Sequence, residues 1–152
     1  MSWHLRPASS ADLDAIDALE KATFPSDAWS RAMIEAELAG PHGHYLAAVD
    51  DDSDALVGYA GLLAPRGSGQ GDIQTIAVAE SARRRGIGAA LLDALLAEAG
   101  ARDAREVFLE VRADNPGAEA LYETRGFERI AIRPAYYQPD GVDAVVMKRV
   151  LR

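Results

Sequence analysis

"DIQTIAVAESARRRGIGAALLDALL", residues 72–96, decides how this chain is read. "DIQTIAV" is rich in β-branched residues and reads as a strand. From Gly86 to about Ala99 the residues are strong helix formers, and Gly100 marks the expected end. Ile87, Leu91, Leu92, Leu95 and Leu96 form two adjacent rows on one helix face. Arg83, Arg84 and Arg85 stand between the two elements, directly before Gly86 and Gly88. A helix start offers about four unpaired backbone N–H groups and the positive end of the helix dipole. Glycines without side chains let an anion approach that backbone. The arginines add charge and forked donors. Strand, turn and helix together therefore predict a site for a phosphorylated ligand. A plain surface Arg run is the competing reading, but like charge at a positive helix end is unfavourable by a few tenths of a kcal/mol.

The chain as a whole is acidic, with 24 Asp and Glu against 16 Lys and Arg and a net charge of -8. That balance argues against nucleic-acid binding, which depends on neutralising phosphates, and suits a basic partner. The local arginines still govern their own turn, because charges beyond roughly 8 Å are screened at physiological salt. The 152 residues, 49% of them hydrophobic, fit one domain spanning 1–152. The chain has no cysteine, which removes disulfides and any thiol nucleophile. No apolar run is long enough for a membrane span and no leader is visible, so a cytoplasmic location is expected. His4, His42 and His44 share no metal-ligand spacing, and no metal is expected.

Outward from the central motif the expected element order is β-α-α-β-β-β-α-β-α-β-β. Trp3 to Arg6 is a short strand. Ser9 caps a first helix that Pro25 ends, and Ser30 caps a second that Gly40 and Pro41 stop. "HYLAAVD" and "ALVGYAGLLA" form a hairpin, "PRGSGQG" is a loop, and "EVFLEV" is the strand after the central helix. Asn115 caps a helix with Pro116 in its first turn. "FERIAI" and "DAVVMKRVL" are the last strands, paired with each other. Alternating strands and helices imply an α/β fold: a mixed central sheet of about seven strands with helices on both faces.

Arg83-x-x-Gly86-x-Gly88 after "IAV" resembles the acyl-coenzyme A signature of the GNAT N-acetyltransferases. "FLEVRADNPGAEALYETRGF", followed by "RPAYYQPDGVDAVVMKR", narrows the resemblance to the RimI-type ribosomal-protein-alanine N-acetyltransferases. "FPSDAWS" is similar to that group's early F…PWS segment. Three departures fall where a peptide would be handled. Ala28 stands where Pro usually precedes Trp29, Val142 replaces an acidic residue before Asp143, and "SDA" lengthens the early segment.

The resemblance implies a GNAT fold and acetyl-CoA as cosubstrate. Arg84, Arg85, Gly86, Ile87, Gly88 and Ala89 would supply pyrophosphate-binding amides, with Arg83 opening the motif. Ile76, Ala77 and Val78 would pair with the pantetheine arm, and Asn115 would contact the same cosubstrate. Trp29, Tyr136 and Tyr137 would line a peptide groove. The implied acceptor is a protein N-terminus, the N-terminal alanine of a basic small-subunit ribosomal protein, and transfer would be direct. An acetyltransferase for a small amine or a lysine side chain, or a silent acyl-CoA-binding module, would share the Arg/Gly motif.

Transfer of an acetyl group to an amine needs a base and an acid. Within "VFLEVR", alternation puts Phe108, Glu110 and Arg112 on one strand face and Val107, Leu109 and Val111 on the other. A carboxylate amid apolar residues, raised toward neutrality by partial burial, suits a base. A solvated Glu110 paired with Arg112 is the other reading of the residues, and the resemblance implies the base. Tyr122, a phenol that donates at neutral pH, is the corresponding acid by resemblance. In isolation its spacing with Ala118 and Leu121 equally suits a core tyrosine.

Overall fold

A computed structural model describes residues 2–151. The strands are β1 (Trp3–Pro7), β2 (Gly43–Asp50), β3 (Leu56–Leu63), β4 (Gln70–Val78), β5 (Glu106–Arg112), β6 (Glu128–Tyr137) and β7 (Val142–Val150). The helices are α1 (Leu13–Thr23), α2 (Arg31–Ala39), α3 (Ile87–Ala101) and α4 (Pro116–Thr124). The seven strands form one sheet in the order β1-β2-β3-β4-β5-β7-β6. Every neighbouring pair is antiparallel except β4 and β5. That parallel pair needs a crossover, and α3 supplies it.

β4 and β5 pair only at Gln70↔Glu106, Gly71↔Val107 and Asp72↔Phe108. Beyond Asp72 and Phe108 the two strands part, although each stays paired on its outer edge, β4 with β3 and β5 with β7. The sheet is therefore open along its middle toward the C-terminal ends of both strands. A β-bulge accompanies the split: Leu62 faces Ile73 while Gly61 faces Thr75, leaving Gln74 as the extra residue.

Two apolar clusters clamp the sheet. On one face Ile87, Leu91, Leu92 and Leu95 of α3 are buried against Leu62, Val107 and Met147. Each such side chain contributes about 1.5–3 kcal/mol on burial, so packing holds this helix in place. Ala118, Leu121 and Tyr122 of α4 pack against the same cluster. On the other face Leu13, Ile16 and Ile34 cover Tyr45 and Tyr59. Gly61 is required there, because a Cβ on it would lie 2.3 Å from Cζ of the Tyr45 ring.

Three elements differ from the sequence reading. A short 3-10 turn, Ser10–Asp12, precedes α1, and Ser9 caps that turn in a capping box with Asp12. Arg6 also grips Asp12, at 2.8 and 2.9 Å, which favours the tight turn. α3 runs through Gly100 to Ala101, and the chain reverses at Asp103, which takes a positive φ of 64°. β6 extends five residues past the end of "FERIAI" at Ile132, to include Pro134 and reach Tyr137. Pro134 is tolerated because β6 is an edge strand, and a register shift between Arg133 and Tyr137 absorbs the missing donor.

Gly61→Ala forces Tyr45 out of its place over β3. It should lower stability by about 1–3 kcal/mol, the usual cost of overpacking, read as a lower urea midpoint at constant slope. An unchanged midpoint would contradict this packing.

Candidate active site

The split between β4 and β5 is the mouth of a groove of about 1850 Å³. Its walls bring together Trp29, Ile76, Ala77, Val78, Arg83, Arg84, Gly86, Ile87, Gly88, Ala89, Glu110, Asn115, Tyr122, Tyr136 and Tyr137. Residues distant in sequence thus meet because two parallel strands diverge and each delivers a helix start to the same opening.

The turn before α3 has the backbone an anion site needs. Gly86 takes a left-handed conformation, φ 78°, as the N-cap of α3, with no side-chain cap and no acid in the first turn. The first i→i−4 bond is donated by Ala90 to Gly86, so the N–H groups of Ile87, Gly88 and Ala89 lie ahead of the helical ladder. Arg84 also has a positive φ, 66°. A left-handed non-glycine residue costs about 1–2 kcal/mol, which the burial of Ile87 and Leu91 offsets. Such local strain tends to gather at functional sites. Arg83 and Arg84 line the groove, whereas the Arg85 side chain turns away. Its guanidinium reaches the Asp50 carboxylate and the Ser2 carbonyl, both at 3.4 Å, and so ties the turn to β2. Only the Arg85 backbone remains for a ligand.

β5 alternates as expected: Val107, Leu109 and Val111 are buried, and Glu110 faces the groove. The Glu110 side chain is 31% exposed and faces Arg133 at 3.6 Å. It is therefore a groove-wall carboxylate rather than one embedded in an apolar layer. Arg112 is not its partner. That guanidinium pairs with Asp27 at 2.9 Å, Asp114 at 3.0 Å and Asp140, and lies 5.1 Å over the Tyr137 ring.

Tyr122 unites both sequence readings. Its ring meets Phe127 edge-on at 6.1 Å and packs against the core, while the same residue lines the groove. Burial pushes its phenol up to about 12, so it keeps its proton at neutral pH. Asn115 caps α4 by accepting the Ala118 N–H at 3.2 Å.

The far end of the groove is aromatic and acidic. Tyr136 and Tyr137 stack edge-on at 5.1 Å, and Arg133 lies 5.5 Å over Tyr136. Burial, and then the nearby Glu110 charge, raise the Tyr136 phenol above its ordinary value. Asp143 accepts the N–H of Ala135, supporting that residue's left-handed φ of 50°. Val142 pairs in register with Tyr137. The extra "SDA" residues have a use, since Asp27 supplies the Arg112 partner from the α1–α2 segment.

Sequence reasoning missed Glu20, which also lines the groove and is 1% exposed. Its signal was present: Leu13, Ile16 and Glu20 share the buried face of α1. A carboxylate at a core position of an amphipathic helix requires buried donors. Among the described residues no group of three or more metal-ligating side chains occurs, and no helix is long and apolar enough to cross a membrane.

Residues 13–127 match the profile of the Acetyltransferase (GNAT) family. The chain is 40% identical over 144 residues to the N-alpha-acetyltransferase RimI of Mycobacterium tuberculosis, covering 91% of this chain and 87% of that protein. It is 42% identical over 142 residues to the uncharacterized protein ML0378 of Mycobacterium leprae; the match covers 91% of this chain but only 38% of that longer protein. The crystal structure of the ribosomal-protein-S18-alanine N-acetyltransferase from Escherichia coli superposes with a TM-score of 0.87 at 28% identity, over 99% of this chain and 94% of that one.

In an alkaline absorbance titration, the phenolate signal that Tyr122→Phe removes should have its midpoint near 12, as its burial requires. A midpoint near 10, the ordinary phenol value, in protein still folded by circular dichroism would mean that the ring is open to water.

Proposed function

The chain belongs to the GNAT family of acetyltransferases, and from that premise we propose that it transfers acetyl from acetyl-CoA to the α-amino group of a protein N-terminus. The observation that carries the reading is the single groove through the split sheet. Its α3–α4 side holds the anion-binding turn, and its other side holds the acidic, aromatic rim. Cosubstrate and acceptor would enter from opposite faces and meet between Glu110 and Tyr122.

Acetyl-CoA supplies an activated acetyl group as a thioester. The backbone of Arg84 to Ala89, with the Arg83 and Arg84 side chains, would hold the pyrophosphate. The unpaired inner edge of β4 at Ile76, Ala77 and Val78 would align the pantetheine arm, and Asn115 would close on it from α4. Glu110 would take a proton from the acceptor ammonium, since only the neutral amine attacks. The new N–C bond forms as the C–S bond breaks, and the departing sulfur would take its proton from Tyr122. Both substrates must then be bound together, with no acyl-enzyme.

Trp29, Tyr136 and Tyr137 would receive the first residues of the peptide. Acids around them, with the chain's net charge of -8, favour a basic partner. The Mycobacterium tuberculosis relative's name gives the α-amino group and the Escherichia coli enzyme's name gives an alanine of ribosomal protein S18, which together favour that N-terminal alanine as acceptor. A cytoplasmic place of action belongs to the same reading.

Peptides that begin with free Ala, Ser or Gly should gain one acetyl group at the α-amine, read by mass spectrometry. The same peptides with a blocked N-terminus should gain none. Preferential modification of an internal Lys would contradict the reading, as would turnover of small amines alone. No turnover of any amine would leave an acyl-CoA-binding module.

A further inference from the structure

Beneath the acceptor end of the groove lies a buried polar cluster that the chemistry above does not use. Glu20 of α1 is its centre. Its Oε2 accepts the backbone N–H of Trp29 at 3.0 Å. Its Oε1 accepts the hydroxyl of Thr75 at 3.2 Å and that of Tyr59. No cation is among these partners. One carboxylate oxygen thus holds the α1–α2 segment, and the other holds β4 directly beside its bulge. Tyr45 pins the bulge residue itself by donating to Gln74 Oε1 at 2.8 Å. Ile76, where the groove edge of β4 begins, is the residue after Thr75.

An apolar side chain here would leave three buried donors without this acceptor. A carboxylate adds directional contacts that fix a distance. Its two oxygens join two walls that no strand pairing joins, because one is an irregular segment and the other a strand interrupted by a bulge.

We propose that Glu20 is a positioning residue of the acceptor site, setting the spacing between the Trp29 wall and the Thr75 wall. The proposal rests on the acetyltransferase reading only for the identity of the acceptor; the spacing itself can be measured without turnover. Glu20 touches no reacting atom. Its loss should weaken acceptor binding and leave cosubstrate binding at the α3 turn unchanged.

Three variants separate this role from ordinary core stability. Glu20→Met keeps the length and much of the volume but offers no oxygen, so both walls lose their tie. Gln would not serve, because its amide could donate to the Thr75 and Tyr59 hydroxyls while its oxygen still accepts from Trp29. Thr75→Val cuts the strand tie and leaves Trp29 held. Tyr59→Phe removes a buried donor from the same cluster while both ties persist. In a Trp3→Phe background, collisional quenching by acrylamide reports on Trp29, the remaining tryptophan. Quenching should rise in Glu20→Met and stay at the parent level in Tyr59→Phe. KM for an Ala-initiated peptide should rise on the order of tenfold or more, the scale of one lost hydrogen bond to a charged group, in Glu20→Met and Thr75→Val. kcat should change less, and the calorimetric Kd for coenzyme A should hold. If Glu20→Met does not fold, Thr75→Val carries the kinetic arm. Equal KM changes in Tyr59→Phe and Glu20→Met would overturn the proposal, as would unaltered quenching in folded Glu20→Met. Altered quenching together with a wild-type protein inactive on peptides would overturn the peptide reading and uphold the positioning role.

Discussion

Three paired residues at the base of β4 and β5, and none beyond, are the constraint on which the rest of this molecule depends. A fully zipped sheet would have no opening between Ile76 and Glu110. Because the strands part after Asp72 and Phe108, the inner edge of β4 keeps backbone groups that β5 does not satisfy. Unpaired edges must find water or a ligand. The same divergence aims the starts of α3 and α4 into one space. The seven pairs between β5 and β7 and the apolar cluster under α3 keep the sheet from collapsing across the gap.

Charge is organised locally. The chain is acidic overall, yet the turn before α3 offers two guanidinium groups, a helix dipole and no first-turn acid. Across the sheet the pattern inverts: Asp27, Asp114 and Asp140 surround the one guanidinium of Arg112. Three carboxylates on one cation leave negative charge in excess at the rim. The two ends of the groove therefore suit opposite charges, as an anionic cosubstrate and a cationic acceptor would require. Screening over about 8 Å lets both ends coexist in one small protein.

Much of this was legible in the sequence, for identifiable reasons. The helical rows of α3 and the strand alternation of β5 are short-range patterns, and both reappear as predicted, with Glu110 on the open face. The Arg/Gly turn was legible because its backbone demands are local. Other features depend on contacts between distant segments. Nothing in residues 83–85 says that Arg85 turns to Asp50 while its neighbours face the groove. No local pattern places β7 between β5 and β6. The Arg112–Glu110 pairing suggested by proximity gives way to three aspartates from separate loops. Glu20 had a visible signal, an acid on an apolar helix face, but its partners lie on β3, on β4 and beyond α1 itself. The lengthened "SDA" segment gained meaning only when Asp27 met Arg112.

Glu110, presented on the open edge of the sheet, would be the base for an amine held in the groove. The pH–rate profile of Glu110→Gln tests it most directly, since the amide keeps the shape but accepts no proton. At about pH 7 the variant's kcat/KM for an N-terminal peptide should fall by roughly 10²–10⁴, the range for a positioned base. The deficit should shrink by about pH 9, where an α-amino group with a pKa of about 7.7–8.0 is already mostly neutral. A deficit of the same size at every pH, in a variant as stable as the parent, would contradict the assignment of Glu110 as the base.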